Sequence, residues 1–280
     1  MKYWQCRNRK INIDKMLIMA ILNITPDSFY DGGKHYNNFD KIKKRTEEII
    51  NEKADIIDIG GESTRPGSKK ISANEEIDRI IPVVEWLKKN YDIPVSIDTY
   101  KSEVAEVCLK AGCEIINDIS GLRFDVKMAQ IISKYNAGVV IMHIQGTPET
   151  MQLNPHYNNV INEIYDYFKK QIIYAKSNNI KEEQIVIDPG IGFGKNLQHN
   201  LTILNYLDKF TEFNLPILIG ASNKSLIAHL FDLPINERLS ATIAINIVSL
   251  FKGANIIRVH NVKENYYAIR MAEEILKTKR

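Results

Sequence analysis

Short apolar runs rich in β-branched residues recur along the chain, and each ends on a polar residue. They span 16–23, 54–61, 94–99, 114–120, 138–144, 184–190, 216–222 and 255–261. These runs are too short for helices. Their hydrophobicity is nearly continuous, as expected of strands buried on both faces of a parallel sheet. Helical patterns lie between them. In 39–53 the positions Phe39, Ile42, Thr46, Ile49 and Ile50 follow the 3.6-residue period, and in 239–251 Leu239, Ile243, Ile247, Leu250 and Phe251 do the same. A last helix is predicted over 262–276. Eight strands alternating with helices in 280 residues point to an α/β fold of the (β/α)8 TIM-barrel type, which typically takes about 250 residues. A doubly wound open sheet is the alternative that alternation leaves open. The pattern predicts one domain over 1–280, with 1–15 as a short N-terminal extension under a barrel formed by 16–280.

Composition narrows the function classes. Hydrophobic residues at 44% and charged residues at 25% exclude a disordered or collagen-like chain. A net charge of +3 is too mild for nucleic-acid binding but suits an anionic small substrate. The apolar run that starts at Met16 breaks at Asn23, far short of the roughly 18 residues of a membrane span. Cys6, Cys108 and Cys113 have no C-x-x-C spacing and are odd in number, which fits a reducing, cytoplasmic setting. No H-E-x-x-H zinc signature occurs.

Barrel active sites form where strands end and βα loops begin. Those ends carry Asn23, Glu62-Ser63-Thr64-Arg65, Asp98, Asn117-Asp118, His143, Asp188, Ser222 with Lys224-Ser225, and Arg258 with His260. One Asp after a strand is often only a helix N-cap; polar residues at all eight ends say more. Asp98, Asp188 and Asn117 can pair along the edge of a planar heterocycle, since a carboxylate facing adjacent N–H groups makes a bidentate, charge-assisted pair. A 2-amino-4-oxo ring such as a pterin or guanine presents that edge. Lys224 offers donors to a ring carbonyl, and Arg65, Arg258 and His260 suit a pyrophosphate or carboxylate. No G-x-S-x-G and no cysteine stands at a strand end, so the set reads as positioning and electrostatics without a covalent nucleophile. The run Pro189-Gly190-Ile191-Gly192-Phe193-Gly194-Lys195 has the wrong spacing for a phosphate loop and reads as a tight turn near a ligand. His143 reads as a residue that orders a neighbouring loop.

Taken in order, these motifs resemble the dihydropteroate synthase family. They are Ile21-Leu22-Asn23-Ile24-Thr25-Pro26-Asp27-Ser28-Phe29 with Asp31-Gly32-Gly33, Asp58-Ile59-Gly60-Gly61-Glu62-Ser63-Thr64-Arg65-Pro66-Gly67, and Ser96-Ile97-Asp98-Thr99. Ile115-Ile116-Asn117-Asp118-Ile119, Met142-His143-Ile144-Gln145-Gly146-Thr147-Pro148, Asp188-Pro189-Gly190, Lys224-Ser225 and Arg258-Val259-His260 follow. The resemblance implies a transferase of folate biosynthesis. It would condense 6-hydroxymethyl-7,8-dihydropterin diphosphate with p-aminobenzoate, giving 7,8-dihydropteroate and pyrophosphate, and it would be a sulfonamide target.

By matched motif, the pterin contacts would be Asp98, Asn117, Asp188 and Lys224. Asn23, Arg65, Arg258 and His260 would hold the diphosphate, with Asn23 beside a Mg2+ ion. Phe29, Thr64, Pro66, Phe193 and Ser225 would form the p-aminobenzoate pocket. Asp98, Arg65, Lys224, Arg258 and His260 would carry the catalysis. The family also implies a homodimer acting on small molecules, with no nucleic-acid or membrane partner. Two positions depart from its pattern: Asn223 stands where an arginine is usual, and Asn261 where an aspartate is common. A pterin-binding methyltransferase working with a corrinoid partner would need neither Thr64-Arg65-Pro66 nor Arg258-Val259-His260. A silent pterin-binding paralogue would not need Asn23, Arg65, Lys224 and His260 intact.

Overall fold

The computed structural model describes residues 2–25, 39–64 and 67–278. The chain opens with an antiparallel hairpin, β1 (Tyr3–Cys6) and β2 (Arg9–Asn12). Eight parallel strands follow: β3 (Leu17–Asn23), β4 (Ile56–Gly60), β5 (Val95–Asp98), β6 (Ile115–Asp118), β7 (Gly138–Met142), β8 (Ile185–Asp188), β9 (Leu218–Ile219) and β10 (Ile256–Val259). Each pairs with its neighbour in sequence, with a single bridge from Ile187 to Ile217 joining β8 to the start of the β9 segment. β10 pairs with β3, so the sheet closes on itself. The helices between them are α1 (Phe39–Asn51), α2 (Ala73–Asn90), α3 (Ser102–Lys110), α4 (Met128–Tyr135), α5 (Val160–Ser177), α6 (Leu197–Asn205), α7 (Ser225–Phe231), α8 (Leu239–Phe251) and α9 (Val262–Lys277). The fold is the (β/α)8 barrel, and the open sheet is excluded by the closure.

Every predicted strand is present, though trimmed. β9 keeps only Leu218 and Ile219 of the run 216–222. Gly220 and the turn that follows withdraw the rest of that run from the ladder.

Strand parity explains where charge goes. Side chains two residues apart on a strand share a face. One face of the barrel strands places Ile57, Ile59, Ile97, Ile116, Val139, Ile141, Ile185, Ile187, Ile257 and Val259 against the helices. The other face looks into the barrel, where Leu17, Met19, Ile56, Ile115, Val140, Val186, Leu218 and Ile256 form an apolar floor. Two residues further along the same face come Asp58 after Ile56, Asn117 after Ile115, Asp188 after Val186 and Arg258 after Ile256. A polar layer therefore rests directly on an apolar one.

The hairpin caps the lower end of that floor. Trp4 is fully buried, and its indole Nε1 donates to the Gln184 carbonyl at 2.8 Å. Arg7 donates to the carbonyls of Leu109 and Cys113. At Gly138, the first residue of β7, an added Cβ would stand 2.5 Å from Cys6 Sγ and 3.1 Å from the Trp4 ring. The hairpin and the barrel thus close together only over a glycine.

Candidate active site

The polar layer is organised around Arg258. Its Nε donates to Asp58 Oδ2 at 2.6 Å and its Nη2 to Asp98 Oδ2 at 2.7 Å. Asn117 Nδ2 also donates to Asp58 Oδ2, at 3.1 Å. One guanidinium from β10 thus joins acids from β4 and β5, while β6 supplies the amide. Sequence reasoning singled out Asp98, Asn117 and Arg258 but passed over Asp58. The signal was available: an acid in the run Ile56-Ile57-Asp58-Ile59 shares its strand face with Ile56 and points into the barrel. Asp58 lies two residues below the end of β4, inside the apolar run rather than at its polar edge.

Buried polar atoms here are only partly paired. Asp58 Oδ1, Ser96 Oγ and Asp98 Oδ1 have no hydrogen-bond partner among the described residues. Buried acceptors left in this state are costly, and their concentration on adjacent strands (Asp58 pairs in register with Ser96) marks a surface prepared for a polar ligand. Burial, opposed by Arg258 and reinforced by the neighbouring Asp58, pushes the Asp98 carboxyl up to about 7. Burial likewise pushes Asp188 up to about 6, against the pull of the Gly190 N–H and the nearby Lys224. The Gly190 N–H donates to Asp188 Oδ1 at 2.7 Å.

Lys224 joins this group from the turn after β9. Burial, opposed by Asp188, brings its ammonium down to about 8. Its Nζ lies 3.9 Å from the centre of the Phe193 ring, a cation–π contact. That approach depends on Gly192, whose φ of +82° suits glycine and whose added Cβ would meet the Lys224 side chain at 3.2 Å. The glycine run therefore acts as the tight turn expected of it, bringing Phe193 over Lys224. Ser225 begins α7 and is exposed.

The turn after β8 is held from below by Lys195. This buried lysine contacts His143 Nδ1 at 3.0 Å and donates to the Phe193 carbonyl at 2.8 Å. Burial holds the His143 imidazolium well below its ordinary range, with Lys195 adding to the effect. His143 also packs edge-on against Tyr167 at 4.8 Å between ring centres. His143, Lys195 and the Phe193 carbonyl thus form one packed cluster beneath the turn.

On the opposite side Ser222 Oγ lies 3.0 Å from His260 Nδ1, and Arg45 Nη2 donates to the His260 carbonyl. Asn23 ends β3, half-buried. A Cβ added at Gly60 would stand 3.5 Å from Asn23 Oδ1 and 3.7 Å from Asp98 Oδ2, so a bare glycine separates the amide from the acid. Among the described residues no three His, Cys, Asp or Glu side chains converge to hold a metal. A lone amide oxygen such as Asn23 Oδ1 suits a hard cation only where that cation takes its other ligands from a substrate's oxygens and water. Thr64 is half-buried on the segment after β4. Phe29, Arg65 and Pro66 lie outside the described residues.

Asn223, at the usual arginine position, adopts φ +57°, a left-handed conformation that asparagine tolerates well. A guanidinium still reaches this turn: Arg238 Nη1 donates to the Asn223 carbonyl at 3.0 Å. Asn261 precedes α9, and its carbonyl accepts from Asn265 Nδ2 at 2.7 Å.

Comparison with known proteins finds relatives in sequence and in fold. Residues 19–260 match the family model described as pterin binding enzyme. The chain is 43% identical over 272 residues to a dihydropteroate synthase of Clostridium beijerinckii, covering 96% of this chain and 98% of that one. The crystal structure of a Yersinia pestis dihydropteroate synthase in complex with a sulfonamide drug superposes with a TM-score of 0.93 at 38% identity, covering 99% of this chain and all of that one. A Xanthomonas albilineans dihydropteroate synthase with 4-aminobenzoic acid superposes with a TM-score of 0.93 at 32% identity, covering 100% of both chains.

Proposed function

The chain belongs to the dihydropteroate synthases among the pterin-binding enzymes, and from that membership we propose how its residues divide the reaction. The enzyme is a transferase that joins 6-hydroxymethyl-7,8-dihydropterin diphosphate to p-aminobenzoate, releasing pyrophosphate. The observation that carries the residue assignment is the inward polar layer of Asp58, Asp98, Asn117, Asp188 and Arg258, with its unpaired acceptors above an apolar floor.

In this reading the ionised Asp188 accepts from the 2-amino and adjacent ring N–H groups, a charge-assisted pair. Asn117 and Asp98 meet other ring edge atoms, and Lys224 donates to the ring carbonyl. The apolar floor sets the depth at which the ring stops. Breaking the bond between the pterin methylene and the diphosphate leaves positive character on the pterin. The carboxylate of Asp98 faces that charge, while Arg258 and His260 donate to the departing pyrophosphate. The amine of p-aminobenzoate then attacks the methylene carbon and loses a proton as the new C–N bond forms. Arg258 is already oriented by Asp58 before substrate arrives, so little reorganisation accompanies the charge separation.

Asn23 would hold Mg2+ with the diphosphate oxygens, where the ion would neutralise phosphate charge. Phe29, Arg65 and Pro66, with Thr64, Phe193 and Ser225, are assigned to the p-aminobenzoate and diphosphate contacts by motif. Ser225 opens α7, and its N–H groups favour the substrate carboxylate. Binding is ordered in this account, with pyrophosphate promoting entry of p-aminobenzoate. Sulfonamides are expected to compete at the same pocket, in line with the drug complex of the Yersinia relative.

No helix among the described residues is long and apolar enough to cross a membrane. A homodimer through α8 and α9 is supported by their outward faces. α8 turns Thr242, Asn246 and Ser249 inward and leaves Val248 and Phe251 exposed, beside exposed Tyr267 and Met271 on α9. Sedimentation of the purified protein tests this, and a monomer at micromolar concentration would contradict it. The residue assignment is tested by calorimetry of pterin diphosphate with Asp188→Ala, with loss of binding expected and unchanged affinity contradicting it.

A further inference from the structure

Among the described residues outside the pterin layer, a buried charge cluster on the β4 and β5 side is unused by the mechanism. Glu62 follows β4 and is buried, and Glu76 lies in the first turns of α2, fully buried. Lys101, from the turn after β5, donates from Nζ to Glu62 Oε2 and to Glu76 Oε2, each at 2.6 Å. The hydroxyl of the preceding Tyr100 donates to Glu62 Oε1 at 3.1 Å. The backbone N–H of Ile71 donates to that same oxygen at 3.2 Å.

Glu62 thus ties together two ends of one loop. It sits at the root of the segment that follows β4, and Ile71 lies at its exit, nine residues later. The root is secured a second time by Arg79, whose Nη1 donates to the Gly61 carbonyl at 2.8 Å. The exit reaches across the barrel mouth: the Gly67 N–H donates to the Pro148 carbonyl at 3.3 Å, and Lys70 lies 3.9 Å from Glu149, both in the loop after β7. Thr64 lies between root and exit. Lys101 stands three residues beyond Asp98, on the strand that supplies the pterin-facing acid.

We propose that Lys101, with Tyr100 and Glu62, is a positioning device that fixes the loop carrying Thr64 in register with the pterin-facing end of β5. This rests on the reading of the site given above. The physical case is that two buried carboxylates meet at one ammonium. Without it they would repel, and one would take up a proton. Glu62 could then no longer hold Tyr100, Ile71 and its ion pair in one arrangement. The loop would stay attached at Gly61 but lose its register at the exit. The cost falls on whatever binds against Thr64, which is the p-aminobenzoate side, and leaves the ring-facing acids in place.

The test is steady-state kinetics and calorimetry on Lys101→Met, Lys101→Arg and Tyr100→Phe. For Lys101→Met the KM for p-aminobenzoate is expected to rise ~10-fold or more, while the pterin diphosphate Kd stays within about twofold. Lys101→Arg, which keeps the charge, recovers most of the difference. Tyr100→Phe removes one hydroxyl, so it gives a smaller rise in the same direction and serves alone if Lys101→Met does not fold. The proposal is overturned if the p-aminobenzoate KM is unchanged in Tyr100→Phe and in whichever lysine variants fold. It is equally overturned if pterin affinity falls as much as p-aminobenzoate affinity, or if arginine is no better than methionine. Wild-type enzyme is assayed alongside: if it forms no dihydropteroate, the functional reading itself has failed, which is a different result from active wild type with indifferent variants.

Discussion

The two ends of the barrel interior are built from the same strands and obey opposite rules. At the lower end, Leu17, Met19, Ile56, Ile115, Val186 and Ile256 meet Trp4 and Cys6 of the hairpin in an apolar cluster. Two residues higher, the same strands present Asp58, Asn117, Asp188 and Arg258, with buried acceptors still unpaired. The lower end is what holds the barrel closed. The upper end gives up stability to keep two acids and a lysine away from their ordinary protonation ranges. Substitutions at the two ends should therefore fail in different ways.

The largest effect is expected at the top. Asp188→Ala should weaken pterin diphosphate binding by ~100-fold or more, because a charge-assisted pair is lost while the ring N–H groups stay buried. Its melting temperature should hold or rise, since a buried acid has been removed. Titration calorimetry and a thermal melt on the same sample check both halves, and a large loss of stability would break the comparison.

At the bottom, Trp4→Ala should cost ~3–5 kcal/mol of stability by opening a cavity and should also strand the Gln184 carbonyl that the indole now satisfies. Denaturant unfolding measures this. The folded fraction should keep its KM for both substrates; a raised pterin KM would show that the hairpin beneath the floor does more than support it.

Asp58→Asn sharpens the comparison within the upper layer. Asp58 raises the pKa of Asp98 by like-charge proximity, so its neutral replacement should lower the Asp98 pKa from about 7. Arg258, freed from one carboxylate, would then pair more fully with Asp98 and push in the same direction. An NMR titration of the carboxyl carbons reads the shift, and an upward movement would contradict the assignment.

The smallest effect is on the pH dependence of stability. The Asp98 and Asp188 carboxyls hold protons in the folded chain up to about 7 and about 6, whereas an unfolded Asp releases its proton near 4. Between those values the folded state binds more protons than the unfolded one. These two groups therefore make stability fall as pH rises from about 4 to about 7. A double Asp98→Asn, Asp188→Asn variant should show a flatter dependence over that window in denaturant melts.

Much of this was legible in the chain because burial on both faces leaves a plain mark. Strands such as 138–144 and 184–190 read as continuous apolar runs, and their polar ends stood out against them. The hairpin was harder. Its strands Tyr3–Cys6 and Arg9–Asn12 are four residues each, mix charged with apolar residues, and are set by contact with the barrel floor. The role of Lys101 was illegible for a different reason. Glu62, Glu76 and Lys101 lie on three different elements, and a lysine after a strand is ordinarily solvated. Only the folded geometry brings it between two buried acids. Lys195 escaped similarly, since the glycines around it explained the turn without it. Nor does the chain show that the His199 ring nitrogen accepts from the Asn196 N–H at the start of α6, since that pairing needs the helix turn already formed.

The central claim is that the upper layer binds pterin diphosphate and transfers its pterinylmethyl group to an arylamine, with pyrophosphate leaving. Pyrophosphate release, followed on mixing enzyme with pterin diphosphate, p-aminobenzoate and Mg2+, measures it directly. The account predicts release at a steady turnover only when both substrates are present, with dihydropteroate appearing in equal amount. Absence of release with both substrates present, or release at the same rate without p-aminobenzoate, would contradict it.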